Sequence, residues 1–372
     1  MRSMQKSTES RNKTPTEGRT EIPPINVRSL VLAIMLSLIF SLGGLFLMVI
    51  VPQELNRFLE NYISDPWYTD SSEEELQVRA QYESVVAFLR PIGYLSFWLM
   101  ISIIILGVII ERYKLSFLGS LTFYLPIFGQ FAVMMGPQYF FAGIGVSRTL
   151  WLPVLEQAPE LLNLGVIFYV PLLVIFLLIV PPLFFLMSIL AKSLLIPPPI
   201  GNVLIYMFLL FISGIGFFIF TFAVVTWLYG RFQGRKVIDF WIYRYSRHPQ
   251  YLGLIIWNYG LLMLSSFSLI SHSGLFPPTF PFLVLSLVII GMALNEENTM
   301  IRQHTEEYIP WRERTSFLVP LPRRIKSFIT YPMRKLIKKE WPENNKDIVV
   351  VLLIYGGIVV LLSVPLVNYF IW

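Results

Sequence analysis

The chain contains no cysteine, so disulfides, a thiolate nucleophile and cysteine-ligated metal are all excluded. Charge is scarce as well: 14% of residues are Asp, Glu, Lys or Arg, and there are three histidines among 372 residues. No His or Gly-punctuated acidic loop accompanies Glu73, Glu74 and Glu75, so that cluster is expected to be a solvated acidic face without a metal. No internal repeat is visible, and no Gly-rich phosphate loop of the soluble dinucleotide kind. Met1 to Pro24 lacks an apolar centre; no cleavable signal peptide is expected, and the first apolar run is expected to serve as an uncleaved signal.

What remains is apolar. Hydrophobic residues make up 55% of the chain, mean hydropathy is +0.64, and several runs approach the roughly 20 residues that cross a bilayer as a helix. A water-soluble domain could not hide that surface. The expected fold is therefore an all-α integral membrane protein of about eight transmembrane helices, with a polar core at the C-terminal end facing the cytoplasm.

Spans are expected at Leu30–Val51, Ile92–Ile110, Leu164–Leu190, Val203–Tyr229, Tyr251–Ile270, Phe280–Leu294 and Ile348–Ile371. The segment Phe117–Leu155, broken by Pro126, Gly129, Gly136, Pro137 and Pro153, must cross an even number of times. The reason is charge: residues 1–29 carry six Lys/Arg, residues 230–250 carry five against one Asp, and residues 52–90 carry eight acidic residues against three Arg. By the positive-inside rule the first two lie in the cytoplasm and the third outside. A short helix is expected over Glu73–Leu89. The net charge of +6 thus reports topology, and no nucleic-acid partner is expected.

The polar chemistry concentrates in two blocks separated by an apolar hairpin. The first is Tyr243–Gly253, YRYSRHPQYLG; the second is Asn295–Pro320, NEENTMIRQHTEEYIPWRERTSFLVP. Arg247 offers a fork of donors for a carboxylate, His248 can titrate or donate, and Pro249 fixes the backbone where a helix begins. Gly253 lets a ligand or a helix approach closely. Glu296 and Glu297 fall at the membrane edge, where a carboxylate needs a cationic partner; Arg247 or a ligand ammonium could supply one. Arg and Glu converging at one edge could hold a zwitterion, such as the amino-acid end of S-adenosylmethionine.

These blocks resemble the C-terminal signature of the isoprenylcysteine carboxyl methyltransferase and phospholipid methyltransferase superfamily. The Arg-His-Pro-x-Tyr-x-Gly motif stands as Arg247, His248, Pro249, Tyr251 and Gly253. In the second motif Glu296, Glu297 and Tyr308 match, Met300 stands for Leu, Trp311 for the second Tyr, and Pro320 closes the block; Thr305 replaces a Gly. The resemblance covers about Trp227–Pro322. It implies an enzyme that binds S-adenosylmethionine and methylates a lipidic acceptor entering from the bilayer. Arg247, His248, Pro249, Tyr251, Gly253, Glu296 and Glu297 would form the cofactor site; Trp311 and Arg314 would face the acceptor, with Arg314 orienting a carboxylate such as that of an isoprenylated cysteine. No metal is implied.

Five regions follow: a tail (1–29), an N-terminal membrane region of unassigned role (30–226), the methyltransferase-like core (227–322), a basic juxtamembrane segment expected to meet anionic lipid headgroups (323–347) and a last span (348–372). Two other readings stay open. A phospholipid amine or a small thiol could replace the carboxylate acceptor. Alternatively, a transporter or scaffold could have kept this fold without catalysis, as the proline-broken helices upstream would suit. Oligomeric state is not legible.

Overall fold

The computed structural model describes residues 25–60, 72–134, 146–171, 174, 200–273 and 278–371. Nearly all of this is helix, with no β-strand among the described residues. Ten α-helices organise it: α1 Val27–Glu60, α2 Ser72–Ile109, α3 Tyr113–Met134, the short α4 Leu152–Gln157, α5 Ile200–Phe232, α6 Pro249–Ser273, α7 Phe280–Gln303, α8 Thr305–Arg314, α9 Arg323–Ile337 and α10 Asn345–Ile371.

Among the described residues, five stretches are long and apolar enough to cross a membrane: Val27–Leu47, Ala87–Ile109, Met207–Phe232, Phe280–Gln303 and Asn345–Val367. They coincide with five of the expected spans. The expected Tyr251–Ile270 is also one helix, within α6. Of Phe117–Leu155, the first half is α3, residues 135–145 lie outside the described residues, and the rest is a 3-10 turn, Val146–Trp151, leading into α4. Most of Leu164–Leu190, the tail to residue 24 and the turns at 196–199 and 274–277 also lie outside them. The expected loop after α1 is shorter than the charge pattern suggested. α1 runs on through Pro52 to Glu60, and the short helix at Glu73–Leu89 continues through Pro91 into α2.

Burial ranks the helices. In α7, 61% of the apolar stretch is buried, against 17–28% in the other four candidates. α7 is therefore central, while Phe40, Phe46, Phe211, Phe218, Leu353 and Leu361 point outward, the surface that lipid would cover. The closest packing joins α5 to α6. A Cβ built on Gly253 would lie 2.4 Å from the backbone nitrogen of Phe220, and one on Gly260 would lie 2.5 Å from Cα of Ser213. Glycine at these places lets two backbones approach as no larger residue would.

Hydrogen bonds define two ends of the bundle. At one, Gly165 N donates to Thr279 Oγ1 at the start of α7, Ile167 N donates to Ser363 Oγ late in α10, and Arg90 pairs with Glu156. At the other, Asn26 N donates to the Tyr229 hydroxyl, and the Asn345 side chain joins Tyr113 to the Val108 carbonyl. That second end gathers the starts of α1, α3, α6 and α10 and the ends of α2, α5 and α7. Both polar blocks belong to it.

Candidate functional site at one end of the bundle

The first block lies between α5 and α6. After α5 the chain makes a 3-10 turn, Trp241–Arg244, whose Tyr243 hydroxyl hydrogen-bonds Gln250. Pro249 then opens α6 as its first residue, where its fixed φ and missing N–H cost the helix nothing. The second block begins in the last turns of α7 and bends at His304 into α8. His304 N donates to the Met300 carbonyl, and the Thr305 hydroxyl donates to the Ile301 carbonyl. His304 has φ −139°, so this bend needs no glycine, and Thr305 fits it.

The two blocks are fastened by backbone. Arg247 N donates to the Ser316 carbonyl at 2.9 Å, and Ser246 and Ser316 form an isolated parallel bridge. This places Arg247 beside the end of α7. Arg247 Nε lies 3.0 Å from Glu297 Oε1, and both side chains are buried, 5% and 0% exposed. Glu297 has two further neighbours: His248 Nε2 at 3.3 Å and Arg312 Nε at 3.4 Å. One buried carboxylate is thus faced by two guanidiniums.

Glu296, one residue earlier and 42% exposed, turns to the rim. His248 Nδ1 lies 3.8 Å from its Oε2, and the Tyr251 hydroxyl donates to it. His248 is held between the two carboxylates and stacks on Tyr251, ring centroids 5.6 Å apart.

Aromatic rings close the site. The Arg247 guanidinium sits 5.3 Å from the Trp341 ring centroid and 5.7 Å from that of Phe317; Arg312 sits 5.1 Å from Trp341. Phe317 also meets His248 and Trp341 edge-on. Tyr308 and Trp311 back the site from a cluster with Tyr229, Phe240 and Tyr243.

Burial shifts the titrating groups. It lowers the Arg247 guanidinium from its ordinary range; Glu297 and Tyr308 oppose the shift and Arg312 adds to it. Arginine stays charged regardless. Burial first, then the charge of Glu297, pushes the Tyr308 phenol well above its usual range, so it remains protonated. Tyr243 is raised likewise, by burial and then by Glu296.

Several buried polar atoms here lack a hydrogen bond among the described residues: Arg247 Nε, Glu297 Oε2, Trp311 Nε1 and Trp341 Nε1. The two carboxylate contacts at Arg247 Nε and Glu297 Oε2 are ionic but poorly aligned as hydrogen bonds. Buried donors and acceptors in this state are costly, and the Arg247 Nε and Trp341 Nε1 donors beside the second guanidinium suit a ligand that brings acceptor oxygens.

Of the residues expected from sequence, Arg247, His248, Tyr251, Glu296 and Glu297 come together. Pro249 starts the helix that carries Tyr251. Gly253 faces α5 and serves helix packing. Trp311 lies behind the site. Arg314 is exposed, its Nε donating to the Pro310 carbonyl of its own helix. Arg312, Phe317 and Trp341 were not anticipated. Spacing could have revealed the first, because Tyr308, Trp311 and Arg312 share one face of a helix. No group of three or more His, Asp or Glu able to hold a metal occurs among the described residues.

Fold and site together define an α-helical protein with five candidate membrane-spanning helices among its described residues and an Arg–Glu–Arg centre around a buried carboxylate at one end of its bundle. Residues 231–315 match the model of a family described as "Protein of unknown function (DUF1295)". That range contains every sequence-predicted site residue. No curated protein and no solved structure matches the chain.

Proposed function

We propose that the protein is an integral-membrane methyltransferase that uses S-adenosylmethionine and a lipidic acceptor. The observation that carries the proposal is the closure of two sequence-distant blocks around Arg247, Glu297 and Arg312, beneath aromatic rings and at the rim of a membrane bundle. In this reading α1, α2, α3, α5, α6, α7 and α10 cross the bilayer and the site-bearing end faces the cytoplasm, as the Lys and Arg residues near that end favour.

The residues present fit such a cofactor. Arg247 and Arg312 would hold its carboxylate, whose oxygens would accept from their N–H groups. Glu297 is already engaged by both guanidiniums and would keep them in place. Glu296, at the rim and backed by Tyr251, would take the ammonium or a ribose hydroxyl. Trp341 and Phe317 would offer π faces to the adenine or the sulfonium. When bound, the cofactor supplies a methyl group on a positively charged sulfur, which an acceptor lone pair can displace in line.

The protein's own part is positioning and exclusion of water. The Arg247–Glu297 pair is buried, so the geometry it imposes is not relaxed by solvent. His248, wedged between two carboxylates, holds the entrance side of α6 in register with α7. The acceptor would approach from the lipid side. An isoprenylated cysteine carboxylate remains the favoured acceptor, with a phospholipid amine or a thiol as the alternative.

The test is methyl transfer. Membranes containing the protein should move label from methyl-labelled S-adenosylmethionine into the organic extract, and Glu296→Ala membranes should not. Base-labile label released as methanol would identify a carboxyl ester; stable label would identify an N- or S-methyl product. No label above protein-free membranes, across prenylcysteine, phospholipid and thiol acceptors, would refute the proposal.

A further inference from the structure

The helix α9, Arg323–Ile337, has no part in the site just described, yet its two faces differ sharply. At 100° per residue, Ile325, Phe328, Ile329, Pro332 and Leu336 fall on one side, and Arg323, Lys326, Ser327, Thr330 and Arg334 on the other. In a soluble bundle the apolar side would be packed. Here Phe328 is 82% exposed and Leu336 63%, with Ile325 and Ile329 also exposed.

The helix is not loose. Met333 is buried against Tyr113, Leu294, Ile348 and Val351, and the Ile329 carbonyl accepts a hydrogen bond of 2.6 Å from the Tyr355 hydroxyl of α10. Lys338 ends the helix in a left-handed conformation, φ 58°, with its N–H bonded to the Arg334 carbonyl. One edge of α9 is therefore fixed to a membrane-spanning helix while its apolar face looks outward.

Depth follows from that attachment. Tyr355 is seven residues beyond Ile348, where α10 turns apolar, or roughly 10 Å along the helix at 1.5 Å per residue. Interfacial helices bury their apolar face about 5–10 Å into the boundary between headgroups and acyl chains. The charge matches such a seat: residues 323–339 contain seven Lys/Arg and no acidic residue, the pattern attracted to anionic headgroups.

We infer that α9 lies in the plane of the membrane at the site-bearing end of the bundle, its Ile325, Phe328 and Leu336 face in the acyl boundary and its cationic face binding anionic phospholipids. This assigns the exposed apolar face one occupant, the leaflet itself. It does not depend on the methyltransferase reading.

The absence of native cysteine makes the test direct. Phe328→Cys, and separately Leu336→Cys, would carry a single nitroxide on the full chain in nanodiscs of phosphatidylcholine with or without phosphatidylglycerol; Arg323→Cys would report the opposite face. At 328 and 336, collisions with oxygen should exceed those with a water-soluble nickel chelate severalfold, and at 323 the order should reverse. Phosphatidylglycerol should deepen the apolar-face labels, and combining Arg324→Gln, Lys326→Gln and Lys335→Gln should remove that increment. Labels at 328 and 336 that favour the nickel chelate would overturn the placement. Labels shielded from both reagents would assign the face to a protein partner or a second copy instead. Depth unchanged by phosphatidylglycerol would overturn the role of anionic lipid.

Discussion

Arg247 and Glu297, from blocks on either side of an apolar stretch of α6 and α7, meet in a buried ion pair 3.0 Å apart, and Arg312 reaches the other oxygen of the same carboxylate. Removing one partner of a buried pair leaves an uncompensated charge, which costs about 3–5 kcal/mol. Glu297→Ala strands two guanidiniums and should lower unfolding stability by that order. Glu296→Ala, at the rim, should cost under about 0.5 kcal/mol. Thermal unfolding of both variants in nanodiscs checks the contrast; equal losses would place the ionic centre elsewhere.

Arg312 and Arg314 are two residues apart, hence about 200° apart around α8. Only Arg312 faces Glu297. Arg312→Ala should weaken cofactor binding at least tenfold, while Arg314→Ala should change it less than twofold. Isothermal titration of the two variants decides between these arginines, and the reverse order would contradict the site as built.

Trp341 lies over both guanidiniums, a contact of roughly 0.5–2 kcal/mol per cation. Trp341→Phe keeps a weaker π face but deletes the Nε1 donor, and Trp341→Ala removes both. Cofactor affinity should fall in the order wild type, Phe, Ala, while residues of the far end, such as Arg90→Ala, leave it unchanged. An unaffected Trp341→Ala would exclude this ring from the site.

Gly253 belongs to the Arg-His-Pro block, but its surroundings are backbone: a Cβ would meet Phe220 N at 2.4 Å. Backbone cannot rotate away, so Gly253→Ala should force α5 and α6 apart at about 1–3 kcal/mol, and Gly260→Ala likewise. The loss should appear in unfolding stability. Gly234→Ala, at a turn with open space but φ 71°, should cost about 1 kcal/mol for backbone strain alone.

How far the sequence reaches can be seen residue by residue. Long apolar runs place α1, α2, α5, α7 and α10, because lipid and core both select apolar side chains at helix length. Their ends were less legible: a span ending at Val51 and a separate short helix ending at Leu89 were expected, but Pro52 and Pro91 each sit inside a continuous helix. The site divides the same way. Arg247, His248, Tyr251, Glu296 and Glu297 were found because each block is contiguous. Arg312 was passed over for Arg314 because matching a motif by position ignores helical phase. Trp341 carries no local signal, being flanked by Glu340 and Pro342 in an irregular stretch; only the packing of that stretch against Phe317 brings it over the site.

The most direct test of the functional account is equilibrium binding of S-adenosylmethionine, and of its demethylated product, to the purified protein in nanodiscs. The account predicts saturable binding of both, lost in Glu296→Ala, which should unfold near the wild-type temperature, and weakened at least tenfold in Arg312→Ala. Folded wild-type protein that binds neither compound, with anionic lipid present, would contradict it.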